Sequence, residues 1–181
     1  MTTQPRIPPL APDDRDATTD ELLQLVGTDL AALNIFTTLV RHPRLYKQWV
    51  RFGAVLLNGS LPERDRELLI LRTAHHCGCA YEWGHHEEIA QSRGLNTAEI
   101  AAVRGGPESS EWSGWSAWDA TLLRTADELH EHSRITDATW AALAERYDDR
   151  LLLEVPALVG FYHTVAFTMN SAGVELEDEY R

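Results

Sequence analysis

The chain has 181 residues, of which 44% are hydrophobic and 24% are charged, so it is long enough for one domain with a hydrophobic core and short for two. Lys and Arg total 16 against 28 Asp and Glu, which gives a net charge of −12. Such an acidic balance argues against binding to nucleic acid or to an anionic membrane surface, because both carry negative charge themselves.

The N-terminal segment, residues 1–14, contains four prolines and is predicted to be an extended arm because proline disfavours helix formation. Residues 15–181 are predicted to form a single helical domain. The prolines also interrupt the apolar run that a secretory leader needs, so we expect a cytoplasmic location. The only two cysteines, Cys77 and Cys79, lie too close in sequence for a disulfide between them to cross-link distant parts of the fold, as disulfides do in small secreted proteins.

From Arg15 onward the apolar residues recur at three- and four-residue spacing, and no stretch alternates like a strand. The pattern therefore predicts an all-α fold, a packed bundle of about eight helices. Three helices are predicted in the C-terminal third, over residues 117–131, 137–147 and 150–170, after a long tryptophan-containing loop over residues 104–118. The apolar stretch 151–169 is predicted to be a core helix, because it contains Glu154, Pro156 and His163.

Helix boundaries are indicated by capping residues near the middle of the chain. Ser60 and Glu63 have the spacing of a capping box, with Pro62 in the first turn, and Asn96 and Glu99 repeat that spacing. Gly94 is predicted to end the preceding helix.

The segment from Arg64 to Leu95 concentrates histidine, cysteine, carboxylate and aromatic residues among apolar ones. Gly78 is predicted to break this segment into two helices, which puts Cys79 near the positive end of the second helix, where a thiolate or an anion is favoured. On that helix Cys79, Glu82 and His86 stand at i, i+3 and i+7 and form one stripe. Glu67, beside an apolar run of the first helix, is expected at the edge of the core.

The spacing of these residues resembles the signature of the carboxymuconolactone decarboxylase and alkylhydroperoxidase D-like (AhpD-like) family. That signature is a glutamate, eleven residues, a cysteine, two residues, a second cysteine or its substitute, three residues and a histidine. Glu67, Cys79 and His86 fall on it, and Glu82 occupies the position of the second cysteine. The tripeptide Tyr81-Glu82-Trp83 resembles the decarboxylase-like branch, and the resemblance, which covers roughly residues 30–172, implies an AhpD-like helical fold.

The resemblance leaves three functions open. A thiol-dependent alkylhydroperoxidase of the peroxiredoxin type, an oxidoreductase, needs two cysteines that can form a disulfide, but Cys77 and Cys79 at i and i+2 of a helix would point about 200° apart. Cys79 could still act as a single reactive thiol, or be a small buried hydrophobe. A non-catalytic binding protein with the same fold is the third possibility.

Acid/base chemistry is the interpretation that the residues favour. Glu82 and His86, one turn apart, can form a hydrogen bond, and Glu67 can approach from the neighbouring helix to share a proton. The predicted activity is that of a lyase: decarboxylation or related proton transfer on a small carboxylate or lactone. Glu67 and His86 would exchange protons while Glu82 orients His86, and Cys79 or Tyr81 could stabilise the resulting enolate. The alternative is a surface ion pair between Glu82 and His86.

Three further expectations concern ligands and partners. The substrate is expected to contact Tyr81, Arg72 and His163, although Arg72 could instead pair with an acid in the core and His163 could be a hydrogen-bonded core residue. No cofactor and no metal are expected, since the segment lacks a standard metal-ligand spacing. We expect a small-molecule substrate, no nucleic acid or membrane partner, and a homo-oligomer, whether dimer, trimer or hexamer.

Overall fold

A computed structural model describes residues 4–110 and 112–180, so the start of the predicted arm, Glu111 of the predicted loop and Arg181 lie outside the described residues. Within those ranges the chain contains nine α-helices and no strand, which confirms the all-α prediction. The described residues fall into two compact units, one made of residues 1–59 and 167–181 and the other of residues 60–166. The division into an arm and a single domain stays a prediction.

The first unit contains the helices α1 (Ala17–Leu23), α2 (Asn34–Leu39) and α3 (Pro43–Leu57). The arm forms backbone hydrogen bonds with other residues of this unit. Leu10 donates one to the Thr37 carbonyl at 3.0 Å, and Arg6 donates one to the Ala172 carbonyl at 2.8 Å. The Arg41 guanidinium also donates to the Pro8 carbonyl at 2.9 Å. These bonds satisfy carbonyl groups that would otherwise need water.

The second unit contains α4 (Glu63–His76), α5 (Ala80–Ser92), α6 (Thr97–Val103), α7 (Ala117–His132), α8 (Asp137–Ala144) and most of α9 (Asp149–Ala172). All residues from Asp65 to Ala74 of α4 are buried, and α5, α6 and α7 pack against this helix. A helix buried on all sides has no solvent-facing stripe, so its polar side chains must find partners inside the protein. This constraint applies directly to Arg66, Glu67 and Arg72.

Of the helix ends predicted near the middle of the chain, two are confirmed and one is wrong. Asn96 and Glu99 form a reciprocal capping box, and α5 ends at Ser92, just before Gly94. The capping box predicted at Ser60 and Glu63 is wrong, since α4 begins at Glu63 after an extended Pro62. The Ser60 amide donates instead to the Glu154 carboxylate at 3.3 Å.

Helix α9 is, among the described residues, the one helix long and apolar enough to cross a membrane by length and composition alone. In its most apolar 18-residue window, 44% of the residues are buried inside the protein. Val155, Leu158 and Tyr162 are at most 4% exposed, as expected of a core helix. The predicted end residues of this helix differ from the observed ones by one or two positions, which is ordinary fraying.

Candidate active site

The turn between α4 and α5 separates the motif residues into two helices. Gly78 has φ +57°, a left-handed conformation that L side chains rarely adopt. The chain therefore breaks there, and Cys79 becomes the N-cap of α5. The predicted break at Gly78 and the position of Cys79 at the start of the second helix are both confirmed.

Glu67, His86 and Glu82 meet between α4 and α5. The Glu67 Oε2 atom lies 2.7 Å from His86 Nδ1, and Glu82 Oε2 lies 3.6 Å from His86 Nε2. Glu67 is fully buried, while Glu82 and His86 are 5% and 6% exposed. The imidazole thus lies between two carboxyl groups and forms its short hydrogen bond with Glu67. We call these three residues the buried triad.

Burial and charge shift the pKa values of the buried triad in opposed directions. Burial raises the pKa of Glu67, but the hydrogen bond and charge of His86, with the charge of Arg66, outweigh it and leave that pKa below its usual range. Burial lowers the pKa of His86, but Glu67 and then Glu82 outweigh it and leave the pKa raised. Burial raises the pKa of Glu82, and the charge of His86 offsets this only in part. The cluster thus favours the charged form of His86 and of Glu67 and the neutral form of Glu82, relative to the same groups in water.

Two further side chains complete the surroundings of the buried triad. The Arg66 guanidinium donates to Glu67 Oε1 at 3.1 Å, so both oxygens of this buried carboxylate are bonded. The Tyr162 ring of α9 stands edge-on to the His86 ring, with centroids 5.1 Å apart. Burial, followed by the charges of Glu82 and Glu67, raises the pKa of Tyr162 well above its usual value. Tyr162 thus stays a neutral hydroxyl.

Cys79 is 1% exposed, and this burial decides its chemistry. Burial raises the pKa of the Cys79 thiol to about 12, against partial opposition from the backbone amides of Glu82 and Tyr81. The helix-end position alone favours a thiolate, but desolvation is the larger effect. About one thiol in 10⁵ is ionised at pH 7 with such a pKa, and neither cysteine is in a disulfide.

The residues expected to bind substrate contact different parts of the protein. Tyr81 is 4% exposed, and its ring lies 4.7 Å from that of His85. Arg72 bonds Asp127 Oδ1 at 2.5 Å and the Val103 and Arg104 carbonyls, each at 2.9 Å. These bonds fit the structural alternative for Arg72.

His163 lies in a second polar cluster of the same unit. Its Nε2 atom is 2.9 Å from His130 Nδ1, and its Nδ1 atom is 2.8 Å from the Val159 carbonyl. The His76 ring is stacked on the His130 ring at 4.6 Å, and His76 Nε2 lies 2.6 Å from Asp127 Oδ1. Burial and then the charges of His76 and His163 lower the pKa of His130. Sequence motifs gave no indication of this cluster.

A cavity of about 520 Å³ opens elsewhere in the second unit. It is lined by charged and aromatic side chains, among them Asp65, Trp118, Arg146 and Tyr147. Asp65 accepts hydrogen bonds from Trp118 Nε1 at 2.9 Å and from the Tyr147 hydroxyl at 2.6 Å. No residue of the buried triad lines this cavity.

Replacing Glu82 with glutamine is expected to make stability less dependent on pH. The fold raises the pKa of Glu82 above its ordinary 4.5, so burial is least costly when the group is protonated. Wild-type stability should therefore fall, relative to Glu82→Gln, as the pH rises from 4.5 through the folded pKa. Urea unfolding across this range measures the difference. Glu88→Gln, at an exposed position of the same helix, is the matched control. If the difference in unfolding free energy between wild type and Glu82→Gln changes with pH no more than the difference between wild type and Glu88→Gln, the expectation is contradicted.

Comparisons with known proteins agree with this architecture. Residues 43–129 match the model of the carboxymuconolactone decarboxylase family. No curated protein matches the chain significantly.

Solved structures match over almost the whole chain. One is the alkylhydroperoxidase AhpD core of an uncharacterized peroxidase-related protein from Ralstonia eutropha JMP134, with 18% identity, a TM-score of 0.81, and coverage of 99% of this chain and 96% of that one. A peroxidase-related protein from Silicibacter sp. TM1040 has 15% identity, a TM-score of 0.80, and coverage of 99% and 97%. The debrominase Bmp8 has 15% identity, a TM-score of 0.76, and coverage of 97% and 94%. At such identities the likeness shows a shared AhpD-like fold.

Proposed function

We propose that this chain, whose residues 43–129 match the model of the carboxymuconolactone decarboxylase family, is a member of that family and an enzyme of cofactor-free acid/base chemistry on a small carboxylate or lactone. The observation that carries the proposal is the 2.7 Å contact between Glu67 and His86 Nδ1, with Glu82 on the other nitrogen of the same ring. Opposed pKa shifts in one buried cluster are typical of catalytic acids and bases. A homo-oligomer remains our proposal for its assembly.

The geometry supports a division of roles within the buried triad. Glu67, bonded to Nδ1, holds the imidazole ring in one orientation and stabilises its positive charge, as a buried carboxylate does beside a catalytic histidine. On the other side of the ring, His86 Nε2 lies 3.6 Å from Glu82 Oε2, and in this proposal these two groups pass the proton to the substrate. Glu67 is thus a positioning residue in this proposal, whereas His86 and Glu82 are the proton carriers; the sequence alone had favoured Glu82 for the positioning role.

Decarboxylation balances with these groups alone. The carbon–carboxylate bond breaks, CO2 leaves, and the electron pair of that bond passes to the substrate carbon as an enolate. The proton of His86 or Glu82 then bonds to this carbon, and the buried triad recovers one proton from water. The positive charge of His86 stabilises the developing enolate, which is the step with the most new charge.

The solved structures of peroxidase-related proteins and of a debrominase make a thiol reaction through Cys79 the natural competitor. The raised pKa of Cys79 opposes a resting thiolate. Cys77, the second cysteine, is separated from it by the left-handed turn at Gly78. Both features support the acid/base proposal.

Cys79→Ser separates the two reactions. We expect it to leave CO2 release from carboxymuconolactone largely unchanged, because serine nearly keeps the size of a side chain that passes no proton in the proposed reaction. Decarboxylation is followed as CO2 release without added thiol, and peroxide consumption is followed with a thiol reductant. Cys77→Ser is the matched control. Peroxide turnover by the wild type that disappears in Cys79→Ser, with no CO2 release by either protein, would replace the acid/base proposal with the thiol one.

A further inference from the structure

We infer that Cys77, His130 and His163 form a binding site for a divalent transition-metal ion, with Zn²⁺ as the best fit. One sulfur and two imidazole nitrogens are the donor types that Zn²⁺ prefers, and three protein ligands leave its fourth position for water or a small ligand. The site shares no residue with the buried triad, so it goes beyond the proposed acid/base function.

The three ligands come from three different elements of the second unit. Cys77 is the C-cap of α4, His130 lies in the last turns of α7, and His163 lies on α9. Their ligand atoms all lie within 4.8 Å of one another. Long-range packing of three helices therefore brings together donors that are far apart in sequence.

The hydrogen bonds of His163 point its metal-binding nitrogen into the cluster. Its Nδ1 atom lies 2.8 Å from the Val159 carbonyl, and a carbonyl can only accept, so Nδ1 carries the proton. In the neutral ring Nε2 then carries the lone pair, and this atom faces His130 Nδ1 at 2.9 Å. In many metal sites a backbone carbonyl accepts a hydrogen bond from the far nitrogen of a ligating histidine in this way.

The distances need only a small adjustment to hold the ion. Two nitrogens bound tetrahedrally to Zn²⁺ at about 2.0–2.1 Å stand roughly 3.3 Å apart, and the His130 and His163 nitrogens are 2.9 Å apart. A sulfur at about 2.3 Å from the ion would stand roughly 3.5 Å from each nitrogen. In the structure the Cys77 sulfur lies within 4.8 Å of both nitrogens.

Neighbouring groups hold one ligand in place and leave the site accessible. The His76 ring is stacked on the His130 ring with an interplanar angle of 13°, and Asp127 anchors His76 through a 2.6 Å contact with Nε2. His130 is exposed, whereas Cys77 and His163 are half-buried. An ion could therefore reach the cluster from solvent without unfolding of the helices.

The test is metal binding by the full, untagged and reduced chain after treatment with a chelator. Zn²⁺ is titrated against a chromophoric chelator, and Co²⁺ is added separately as a spectroscopic probe. We expect one equivalent of either ion and a cobalt–thiolate charge-transfer band. Cys77→Ser should abolish the band. Each of Cys77→Ser, His130→Ala and His163→Ala should weaken Zn²⁺ binding at least about 100-fold, since loss of a group that only hydrogen-bonds to a ligand already costs about 10–100-fold.

Matched controls come from the neighbouring residues of each type. Cys79→Ser and His132→Ala should keep the stoichiometry, the affinity and the cobalt band, and far-ultraviolet circular dichroism checks that every variant is folded. If Cys77→Ser does not fold, His130→Ala, which changes an exposed side chain, decides the question. The inference is overturned if no cobalt–thiolate band appears, if the band depends on Cys79 instead of Cys77, or if a folded His130→Ala binds Zn²⁺ as tightly as the wild type.

Discussion

Replacing Glu67 with alanine is expected to lower the free energy of unfolding by about 3–5 kcal/mol near neutral pH, the cost of removing one partner of a buried ion pair. The substitution leaves the buried His86 imidazole and the Arg66 guanidinium without the carboxylate that bonds both of them. Urea unfolding, followed by circular dichroism and by tryptophan fluorescence, measures the loss, and coincidence of the two signals checks that one transition is observed.

The loss should also depend on pH in a defined way. Glu67 has a lowered pKa, so its contribution is present above 4.5 and is lost as the pH falls through the folded value. His86 has a raised pKa, so its contribution is fully present below 6.5 and is lost as the pH rises through the folded value. The difference between wild type and Glu67→Ala should therefore be largest between these two values and smaller on either side.

Glu88→Ala is the control for this measurement, because Glu88 is an exposed glutamate of the same unit. Surface substitutions of this kind usually change stability by less than about 0.5 kcal/mol. A Glu67→Ala variant as stable as Glu88→Ala at every pH would mean that the Glu67–His86 contact contributes nothing to the native state. The positioning role proposed for Glu67 would then lose its physical basis.

The helices and their main break could be predicted from local sequence signals. The three- and four-residue spacing gave the all-α class, and Gly78 gave the turn, because both depend on residues close together in the chain. The Ser60 boundary was wrong for a local reason as well: Pro62, with a non-helical ψ of 135°, is the N-cap of α4 and not a residue of its first turn. Spacing alone does not show whether a proline begins a helix or stands before it.

The contacts of the site depend on packing between helices, which spacing does not determine. Helical periodicity placed Glu82 and His86 one turn apart, but the short contact of His86 is with Glu67 on the neighbouring helix. In the same way, His163 was expected near the substrate, whereas the structure places its Nε2 atom 2.9 Å from Nδ1 of His130. The chemistry of Cys79 follows from burial, since the helix end favours a thiolate but desolvation outweighs it.

His86→Ala should reduce kcat/KM for decarboxylation by about 10²–10⁴-fold, the usual contribution of a positioned general acid or base. The variant removes one of the two proposed proton carriers, together with the ring that Glu67 positions, and a methyl side chain cannot replace it. Wild-type activity should fall above the raised pKa of His86, which lies above 6.5, as the proton to be donated is lost. It should fall again below the lowered pKa of Glu67, which lies under 4.5, as the positioning carboxylate is neutralised. Steady-state CO2 release across pH measures both limbs.

Glu67→Gln distinguishes a positioning role from a merely structural one. Glutamine keeps the size of the side chain and an oxygen that can accept from Nδ1, but it removes the charge that raises the pKa of His86. The alkaline limb of the profile should therefore move to lower pH, whereas a variant that was only less stable would lose amplitude without moving the limb. His132→Ala, at an exposed histidine outside the buried triad, is the control for His86→Ala. A profile unchanged in both Glu67→Gln and His86→Ala would show that the proton does not pass through His86.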